Sequence, residues 1–248
     1  MKPYYYDLHI HSCLSPCGDG DSTPNNIAGM AKLSELDIVA LTDHNTTKNC
    51  PAFFEAAERL GIIPVAGMEL TSSEDIHIVC LFEHLEDAMR FDEYVSKHRT
   101  LIKNRPEFFG EQLILDGEDE PLGIEEYLLT NATDISSEDA VSLVSSFGGI
   151  AYPAHIDRDS NGIIAILGTI PEDTDFRLFE LRDGGRKKEF KEKYGIAEEN
   201  FIVSSDAHSL ESLRDKENYF ILPTESFDSK TVRKELFSYL GKLMGKLA

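Results

Sequence analysis

The hydrophobic pattern changes its period repeatedly along the chain, and each change marks a predicted element. Short apolar runs rich in β-branched residues are typical of strands, whereas apolar residues at positions i, i+3 and i+4 are typical of helices. The predicted strands are residues 4–10, 38–42, 62–70, 77–82, 150–153, 178–181, 201–205 and 219–222. The predicted helices are one that begins at Pro24 after a capping Thr23 and residues 51–60, 85–104, 137–147 and 229–247. Strands that alternate with helices predict an α/β fold with a mostly parallel sheet, either open or closed into a barrel.

One segment interrupts this alternation. Residues from about 105 to 133 follow no clear period and are rich in Gly, Asp and Glu. A length of 248 residues fits one domain of ordinary size. We therefore predict a single domain over residues 1–248, with a small inserted segment or lid at about 105–133.

The charge balance narrows the range of partners. The chain carries 24 Lys and Arg against 45 Asp and Glu, a net charge of −21. Proteins that grip long nucleic acid by its backbone need a basic surface, so we expect no long duplex nucleic acid as a partner. A small phosphorylated substrate stays compatible with this charge, because divalent ions bound in a cleft reverse the local field.

Neither a membrane nor an oxidising compartment is indicated. The apolar runs are far shorter than a membrane span, and the first residues carry no apolar segment typical of a secretion signal. We expect a cytoplasmic protein with no membrane partner. Its four cysteines are then expected to be reduced.

Histidines and carboxylates gather at the ends of the predicted strands, where enzymes of this fold class place their chemistry. In the first strand, the alternation of side chains puts Asp7, His9 and His11 on one face. The residues at strand ends are His9, His11, His44, Glu69, His77, His155, Asp206 and His208. The other two histidines, His84 and His98, fall in polar helical surroundings, where we expect solvated surface roles.

Their joint placement predicts a metal centre. A single histidine at a strand end is more often a packing residue than a ligand, but so many polar groups crowded into one cleft need partners. Bound cations supply such partners. Imidazole and carboxylate together suit zinc, manganese or iron, and the absence of thiolate clusters argues against a structural zinc site.

The motifs around these residues resemble those of the polymerase and histidinol phosphatase (PHP) superfamily of metal-dependent phosphoesterases. They are Asp7-Leu8-His9-Ile10-His11, Leu41-Thr42-Asp43-His44, Gly67-Met68-Glu69, Pro153-Ala154-His155 and Ser205-Asp206-Ala207-His208. The motifs follow the order of the family and span most of the chain. The resemblance implies a distorted (β/α)7 barrel that binds two or three divalent transition metals.

The resemblance also implies a set of ligands for each ion. The first ion would be held by His9, His11, Glu69 and Asp206. The second would share Glu69 as a bridging ligand and add His77 and His155. The third would be held by His44 and His208.

A further ligand of the third ion is ambiguous. The family usually places an Asp or a His a few residues after the His-x-His motif. Here the spacing from His11 favours Cys17, whereas the spacing back from Thr23 favours Asp19. We rank Cys17 slightly ahead, since the pKa of a thiol near cations is lowered and the thiolate binds zinc or iron well.

Three further residues are candidates for substrate binding or catalysis. Arg158 follows His155 closely, Arg182 follows a strand, and a guanidinium suits bidentate recognition of phosphate. Asp43 is expected to orient the neighbouring His44 or to carry a proton. Glu69 is expected to act in catalysis as the bridging ligand, where a water activated by the ions attacks phosphorus.

The expected function is hydrolysis of a small phosphorylated metabolite or a nucleotide. A short oligonucleotide or a nucleoside bisphosphate is the next candidate substrate. Two other functions stay open: hydrolysis of a C–N bond, as in amidohydrolases, and a scaffold without catalysis. The first is disfavoured because no lysine lies at a strand end, and the second because the ligand set is nearly complete.

Overall fold

The computed structural model describes residues 2–245 as an α/β domain. Its strands are β1 (Lys2–Asp7), β2 (Ile38–Leu41), β3 (Ile63–Thr71), β4 (His77–Phe82), β5 (Leu113–Leu115), β6 (Pro121–Ile124), β7 (Gly149–Pro153), β8 (Phe179–Leu181), β9 (Phe201–Val203) and β10 (Tyr219–Leu222). Its α-helices are α1 (Pro24–Leu33), α2 (Cys50–Leu60), α3 (Leu85–Val95), α4 (Pro106–Phe109), α5 (Ser137–Ser146), α6 (Ile163–Leu167), α7 (Lys187–Tyr194) and α8 (Ser229–Leu243). The last two residues of the helix predicted over 229–247 lie outside the described part.

The strands curl into a distorted barrel. Six of them form a sheet in the order β10-β1-β2-β3-β4-β7, and β8 pairs in parallel with β9. The gap between β7 and β8 is spanned by a hydrogen bond of 2.9 Å from the amide of Ile156 to the carbonyl of Glu180. A parallel bridge between Ile10 and Ala207 joins β9 back to β1. The predicted barrel of seven strands is confirmed, with β10 added outside it on the edge of β1.

The direction of β4 departs from the predicted parallel sheet. β4 runs antiparallel to both of its neighbours, β3 and β7. Its first residue, His77, therefore pairs with Thr71 at the last position of β3. Since only five residues connect these strands, β4 turns straight back on β3 instead of crossing over through a helix. This reversal brings the start of β4 to the edge of the barrel where the parallel strands end.

Most helices begin and end where the sequence places the corresponding signals. Thr23 caps α1 by accepting a hydrogen bond from the amide of Asn26, and α2 ends at Gly61, whose φ is 72°. The prediction of a helix over 85–104 was wrong in its second half, since α3 ends at Val95. Tertiary pairing decided this boundary, because Arg99 and Lys103 form antiparallel bridges with residues of the returning chain.

The segment predicted as an insertion lies against the loop that carries His44. It contains α4 and the hairpin of β5 and β6. Asn45 donates a 2.7 Å hydrogen bond to the carbonyl of Leu129, and Asn49 accepts one of 2.9 Å from the amide of Leu115. These contacts hold the base of the segment beside the carboxyl ends of β2 and β3. No helix within residues 2–245 is long and apolar enough to cross a membrane.

Candidate metal centre

Five imidazole rings surround the carboxylate of Glu69, whose side chain is 1% exposed. Glu69 is in β3, and the rings come from the ends of neighbouring strands. The distances from Glu69 oxygens are 3.3 Å to His9 Nε2, 3.2 Å to His11 Nε2, 3.1 Å to His44 Nδ1, 2.9 Å to His77 Nδ1 and 3.0 Å to His155 Nε2. The antiparallel β4 is the reason that His77 reaches this point from the start of its strand. The four histidines expected to share an ion with Glu69 are thus brought together, and His44, expected at the third ion, joins them.

Asp206 supplies a second carboxylate on the other side of the His-x-His pair. Its Oδ1 lies 3.5 Å from Nε2 of both His9 and His11. His208 lies beside it, with Nδ1 2.8 Å from the backbone oxygen of Asp206. Asp206 and His155 adopt positive φ angles of 53° and 28°, which residues other than glycine rarely take. Strained backbone of this kind concentrates at functional sites, where the surrounding structure enforces it.

The ligand atoms fall into three overlapping groups, within each of which all atoms lie within 4.8 Å of one another. The groups are His9, His11, Glu69 and Asp206; His44, Glu69 and His77; and His11, Cys17, His44 and His208. The first matches the set that the resemblance implies. The second group differs from the set that the resemblance implies for the second ion, because it contains His44 in place of His155. His155 contacts the cluster through Glu69. His44 therefore lies between the second and third groups.

The protonation of the His-x-His pair fits a cation between the two rings. Ser15 Oγ is 2.7 Å from Asp43 Oδ1 and 3.1 Å from His11 Nδ1. The hydroxyl of Ser15 has one proton and donates it to the carboxylate of Asp43. The hydroxyl oxygen of Ser15 therefore accepts the Nδ1 proton of His11. Nδ1 of His9 faces Glu180 at 2.8 Å and is likewise a donor. The two Nε2 atoms, 3.1 Å apart, therefore offer free lone pairs to a shared ion when the rings are neutral.

Buried atoms without hydrogen bonds support the same conclusion. Among residues 2–245, His44 Nδ1, His77 Nδ1 and Asp206 Oδ1 are buried and lack a hydrogen-bond partner. Both ring nitrogens nevertheless lie within 3.1 Å of a Glu69 oxygen. Burying polar atoms unpaired is costly, and metal ions in the two groups that contain these atoms would remove that cost. The residues present thus fit a centre of divalent transition metals.

Without a metal ion, protons take over part of the charge balance. Burial alone would raise the pKa of Glu69, but His77, His9 and His44 hold it well below its usual range. Burial lowers the pKa of His11, yet the neighbouring carboxylates of Asp206 and Glu69 outweigh this and raise it to about 9. His44 goes the other way, because burial and neighbouring rings lower its pKa well below the usual value. His44 therefore stays neutral, which is the form of imidazole that binds metals, whereas the raised pKa of His11 favours its protonated form.

Cys17 and Asp19 differ in how close their side chains lie to the other proposed ligands of the third ion. The Cys17 thiol belongs to the group with His11, His44 and His208, whereas Asp19 contacts His208 through its backbone amide, 2.7 Å from the carbonyl. The Asp19 carboxylate accepts a hydrogen bond from the amide of Asp21. Desolvation of its sulfur and the charge of Glu69 raise the pKa of Cys17 to about 12, although the residue as a whole is exposed, so a thiolate here depends on a bound cation.

The hydrogen bonds of the Asp43 carboxylate go to two serines, and its expected role of orienting His44 or carrying a proton stays a prediction. Its buried carboxylate accepts hydrogen bonds from the amide and hydroxyl of Ser12 and from the hydroxyl of Ser15, each 2.7 Å long. Ser15 in turn accepts from the ring of His11 and from the backbone amide of His44. Asp43 is thus linked through the Ser15 hydroxyl to both the His11 ring and the backbone of His44.

Sequence reasoning did not find Glu180. This residue is at the centre of β8, fully buried, and its Oε1 contacts both the His9 ring and the backbone amide of His155. A charged residue between Phe179 and Leu181 in an otherwise apolar strand was the available signal. The sequence analysis put Asp7 on the same face as His9 and His11 but did not include it in the site. Burial raises the pKa of Asp7 to about 6.

Two arginines border the centre at the side of Asp206. Arg158 Nη1 lies 2.6 Å from Asp206 Oδ2, and Arg182 Nε lies 3.9 Å from the same oxygen. Their side chains are 36% and 42% exposed, so both are accessible from the cleft. Arg214 was missed by the sequence analysis and donates a hydrogen bond to the backbone oxygen of Arg182. The carboxylate of Asp206 thus faces the ligand cluster with one oxygen and the arginines with the other.

The profile of the PHP domain family matches residues 7–165, which carry most of the strand-end motifs. The chain belongs to the PHP domain family. Members of this family are metal-dependent hydrolases that act on phosphate esters. The predicted family is therefore confirmed.

Curated relatives of this PHP domain have several different activities. The chain is 36% identical over 66 residues to phosphoribosyl 1,2-cyclic phosphate 1,2-diphosphodiesterase of Eggerthella lenta. This match covers 27% of this chain and 24% of the relative. It is 29% identical over 103 residues to a 5'-3' exoribonuclease of Haemophilus influenzae, which covers 40% of this chain and 34% of the relative. This chain therefore spans less than two thirds of the length of these curated proteins, and the matches show a shared domain rather than a shared activity.

Solved structures share the fold over nearly the whole chain. Endonuclease Q, in complex with a 27-mer duplex substrate, gives a TM-score of 0.61 at 19% identity and covers 94% of this chain and 56% of that chain. A putative metal-dependent phosphoesterase from Bifidobacterium adolescentis gives a TM-score of 0.53 at 16% identity, with 95% and 97% of the two chains covered. These likenesses place the PHP domain in the same fold as both proteins.

The exclusion of long duplex nucleic acid was wrong. Endonuclease Q has this fold and is solved with a duplex that carries an abasic lesion at its active site. The net charge of −21 sums the whole surface, whereas contacts to phosphates depend on the local field. In this chain, Arg158 and Arg182 lie at the site although the total charge is strongly acidic. Composition therefore gave no basis for excluding this class of substrate.

Proposed function

We propose that this chain hydrolyses phosphoesters with two or three divalent transition metals, which are zinc, manganese or iron. One observation carries the proposal: the Nε2 atoms of His9 and His11 lie 3.1 Å apart, between the carboxylates of Glu69 and Asp206. Two ring nitrogens and two carboxylates that converge on one point form a set of ligands for a divalent cation. The match to the PHP domain family supports the same reaction.

The residues divide among the ions as the family resemblance and the distances together suggest. His9, His11, Glu69 and Asp206 would hold the first ion. Glu69 would bridge to a second ion together with His77 and His155, and His44, His208 and Cys17 would hold a third. Bound ions would lower the pKa of a water molecule and neutralise phosphoryl oxygens, which is the chemistry that phosphoester hydrolysis needs.

The two arginines would bind the phosphate group of the substrate. Arg158 already forms an ion pair with Asp206, so its guanidinium is held at the edge of the ligand cluster. Arg182 approaches the same carboxylate from a second loop. Guanidinium groups hydrogen-bond phosphate oxygens in a fixed geometry and would orient the phosphorus toward the cluster. Asp43 and Ser15 would keep the His11 ring in its ligating orientation.

The substrate class that we favour is a small phosphorylated metabolite, a nucleotide or a short oligonucleotide. The curated relatives support it, since their names describe a cyclic phosphate diphosphodiesterase and an exoribonuclease. We further propose that residues 105–133 are an insertion in a single domain and border the substrate cleft. Their contacts with Asn45 and Asn49, in the loop that follows His44, support this position.

Metal analysis combined with a substrate screen tests the proposal. Purified protein is analysed for metals and assayed against phosphomonoesters, cyclic phosphates, nucleoside bisphosphates, dinucleotides and simple amides, with Glu69→Gln as the inactive control. We expect two or three transition-metal ions per chain, and phosphoesterase activity that is lost with a chelator and restored by manganese or zinc. Full activity of metal-free protein would contradict the proposal. Hydrolysis of an amide but of no phosphoester would assign the chain to C–N bond chemistry instead.

A further inference from the structure

Glu180 is a buried carboxylate that contacts a candidate ligand of each of two ions. It is at the centre of β8, and its side chain is 0% exposed. Its Oε1 lies 2.8 Å from Nδ1 of His9 and accepts a 3.0 Å hydrogen bond from the backbone amide of His155. The same oxygen therefore meets one ligand of the first ion and one ligand of the second.

The contact with His9 determines which ring nitrogen can bind a metal. A carboxylate only accepts hydrogen bonds when it is ionised, so Nδ1 of His9 carries the proton. Nε2 is then the ligating atom, and it points to Glu69, Asp206 and His11. A carboxylate behind a metal-bound histidine fixes the tautomer and the orientation of the ring in many metal sites.

The contact with His155 determines the path of the backbone. His155 follows β7 at a φ of 28°, which is a costly conformation for a residue with a side chain. The hydrogen bond from its amide to Glu180 is formed inside the barrel, away from competing water. This conformation directs the His155 ring to Glu69, where its Nε2 lies 3.0 Å from Oε1.

We propose that Glu180 is a positioning residue that couples the first two ion sites. One oxygen atom holds His9 for the first ion and His155 for the second, so movement of this carboxylate disturbs both sites together. The inference rests on the metal sites of the proposed function but goes beyond them, because Glu180 belongs to none of the three ligand groups.

The chain offers variants that separate the hydrogen bonds from the charge. Glu180→Gln keeps a carbonyl oxygen at the position of Oε1, and Oε2 has no hydrogen-bond partner in residues 2–245 that the new amide would disrupt. Glu180→Asp keeps the charge but withdraws the oxygen by one methylene, and Glu180→Ala removes it. Asp119→Asn serves as a control, because Asp119 also accepts two hydrogen bonds, from Thr23 and Asn25, away from the histidines.

Affinities for zinc are measured by competition with a chelator, and the visible absorption of cobalt-loaded protein reports the geometry of each site. We expect Glu180→Ala and Glu180→Asp to weaken binding of two ions by on the order of 10–100-fold. Glu180→Gln should recover most of the affinity, and Asp119→Asn should match the wild type. The cobalt spectrum should change in Glu180→Asp and return toward that of the wild type in Glu180→Gln.

Several outcomes would overturn the inference. Wild-type affinity of Glu180→Asp would do so, and this variant decides the question if Glu180→Ala fails to fold. Weakened binding of one ion alone would remove the coupling between the sites. A wild-type protein that binds no metal would overturn the proposed function and this inference together, whereas normal wild-type binding with an unaffected Glu180→Asp variant rejects the role of Glu180 only.

Discussion

The two halves of the candidate metal centre are built differently. The inner half, His9, Glu69, His155 and Asp206, lies at strand ends with side chains at most 1% exposed. The outer half, Cys17, His44 and His208, is more open, since Cys17 is exposed and the His208 side chain is 31% exposed, although His44 is buried. Paired strands and buried carboxylates hold the inner half, whereas the loop of Cys17 is held by short backbone turns. We therefore expect a tightly bound inner ion and a more readily exchanged outer ion.

The largest effect is expected from the inner half. Glu69→Gln removes a carboxylate oxygen that faces several rings at once, so the first two ions should lose a shared ligand. Because the metal contribution to catalysis is worth several kcal/mol, kcat/KM should fall about 1,000-fold or more. Steady-state kinetics on the best phosphoester, with metal content measured on the same samples, checks this. A loss of less than tenfold would remove Glu69 from the bridging position.

Arg158→Ala should have an intermediate effect. A hydrogen bond from a charged group is worth about 1.5–3 kcal/mol, so loss of the proposed phosphate contact should lower kcat/KM by about 10–100-fold. Arg182→Ala should lower it less, since Arg182 Nε is farther from Asp206, at 3.9 Å. Arg90→Ala on the exposed face of α3 is the matched control. If Arg158→Ala and Arg90→Ala have equal kinetics, Arg158 does not contact the substrate.

A smaller effect is expected in the outer half. Cys17→Ala should lower the metal content by about one ion and leave the ions held by Glu69 mostly bound, because Cys17 groups only with His11, His44 and His208. Asp19→Ala should keep the full metal content, since its carboxylate contacts the amide of Asp21. Elemental analysis after dialysis measures both. Loss of an ion in the Asp19 variant with full content in the Cys17 variant would reverse this assignment.

No measurable effect is expected outside both halves. His84 precedes α3, and its side chain is 62% exposed with Glu83 as its ion-pair partner. His84→Ala should keep kcat/KM and metal content within about twofold of the wild type, as is usual for substitutions at exposed positions. The variant is assayed beside Glu69→Gln. A similar loss in both would mean that the activity does not depend specifically on the buried carboxylate of Glu69.

The sequence by itself determined the family and indicated most of the candidate ligands. Strand-end motifs are local, since alternation along one strand puts His9 and His11 on the same face whatever the rest of the chain does. The caps of α1 and α2 were predicted for the same reason, because Thr23 and Gly61 act within one turn of the helix.

The tertiary structure decided what depends on contacts between distant residues. The antiparallel direction of β4 brought His77 to Glu69, and pairing of Arg99 with Thr133 ended the helical stretch early. Glu180 is 171 positions from His9 in the sequence, so no local pattern links the two. Asp43 is next to His44 in sequence yet is linked to the His11 ring through Ser15. Periodicity records which face a residue occupies, but only the closed barrel decides which faces meet.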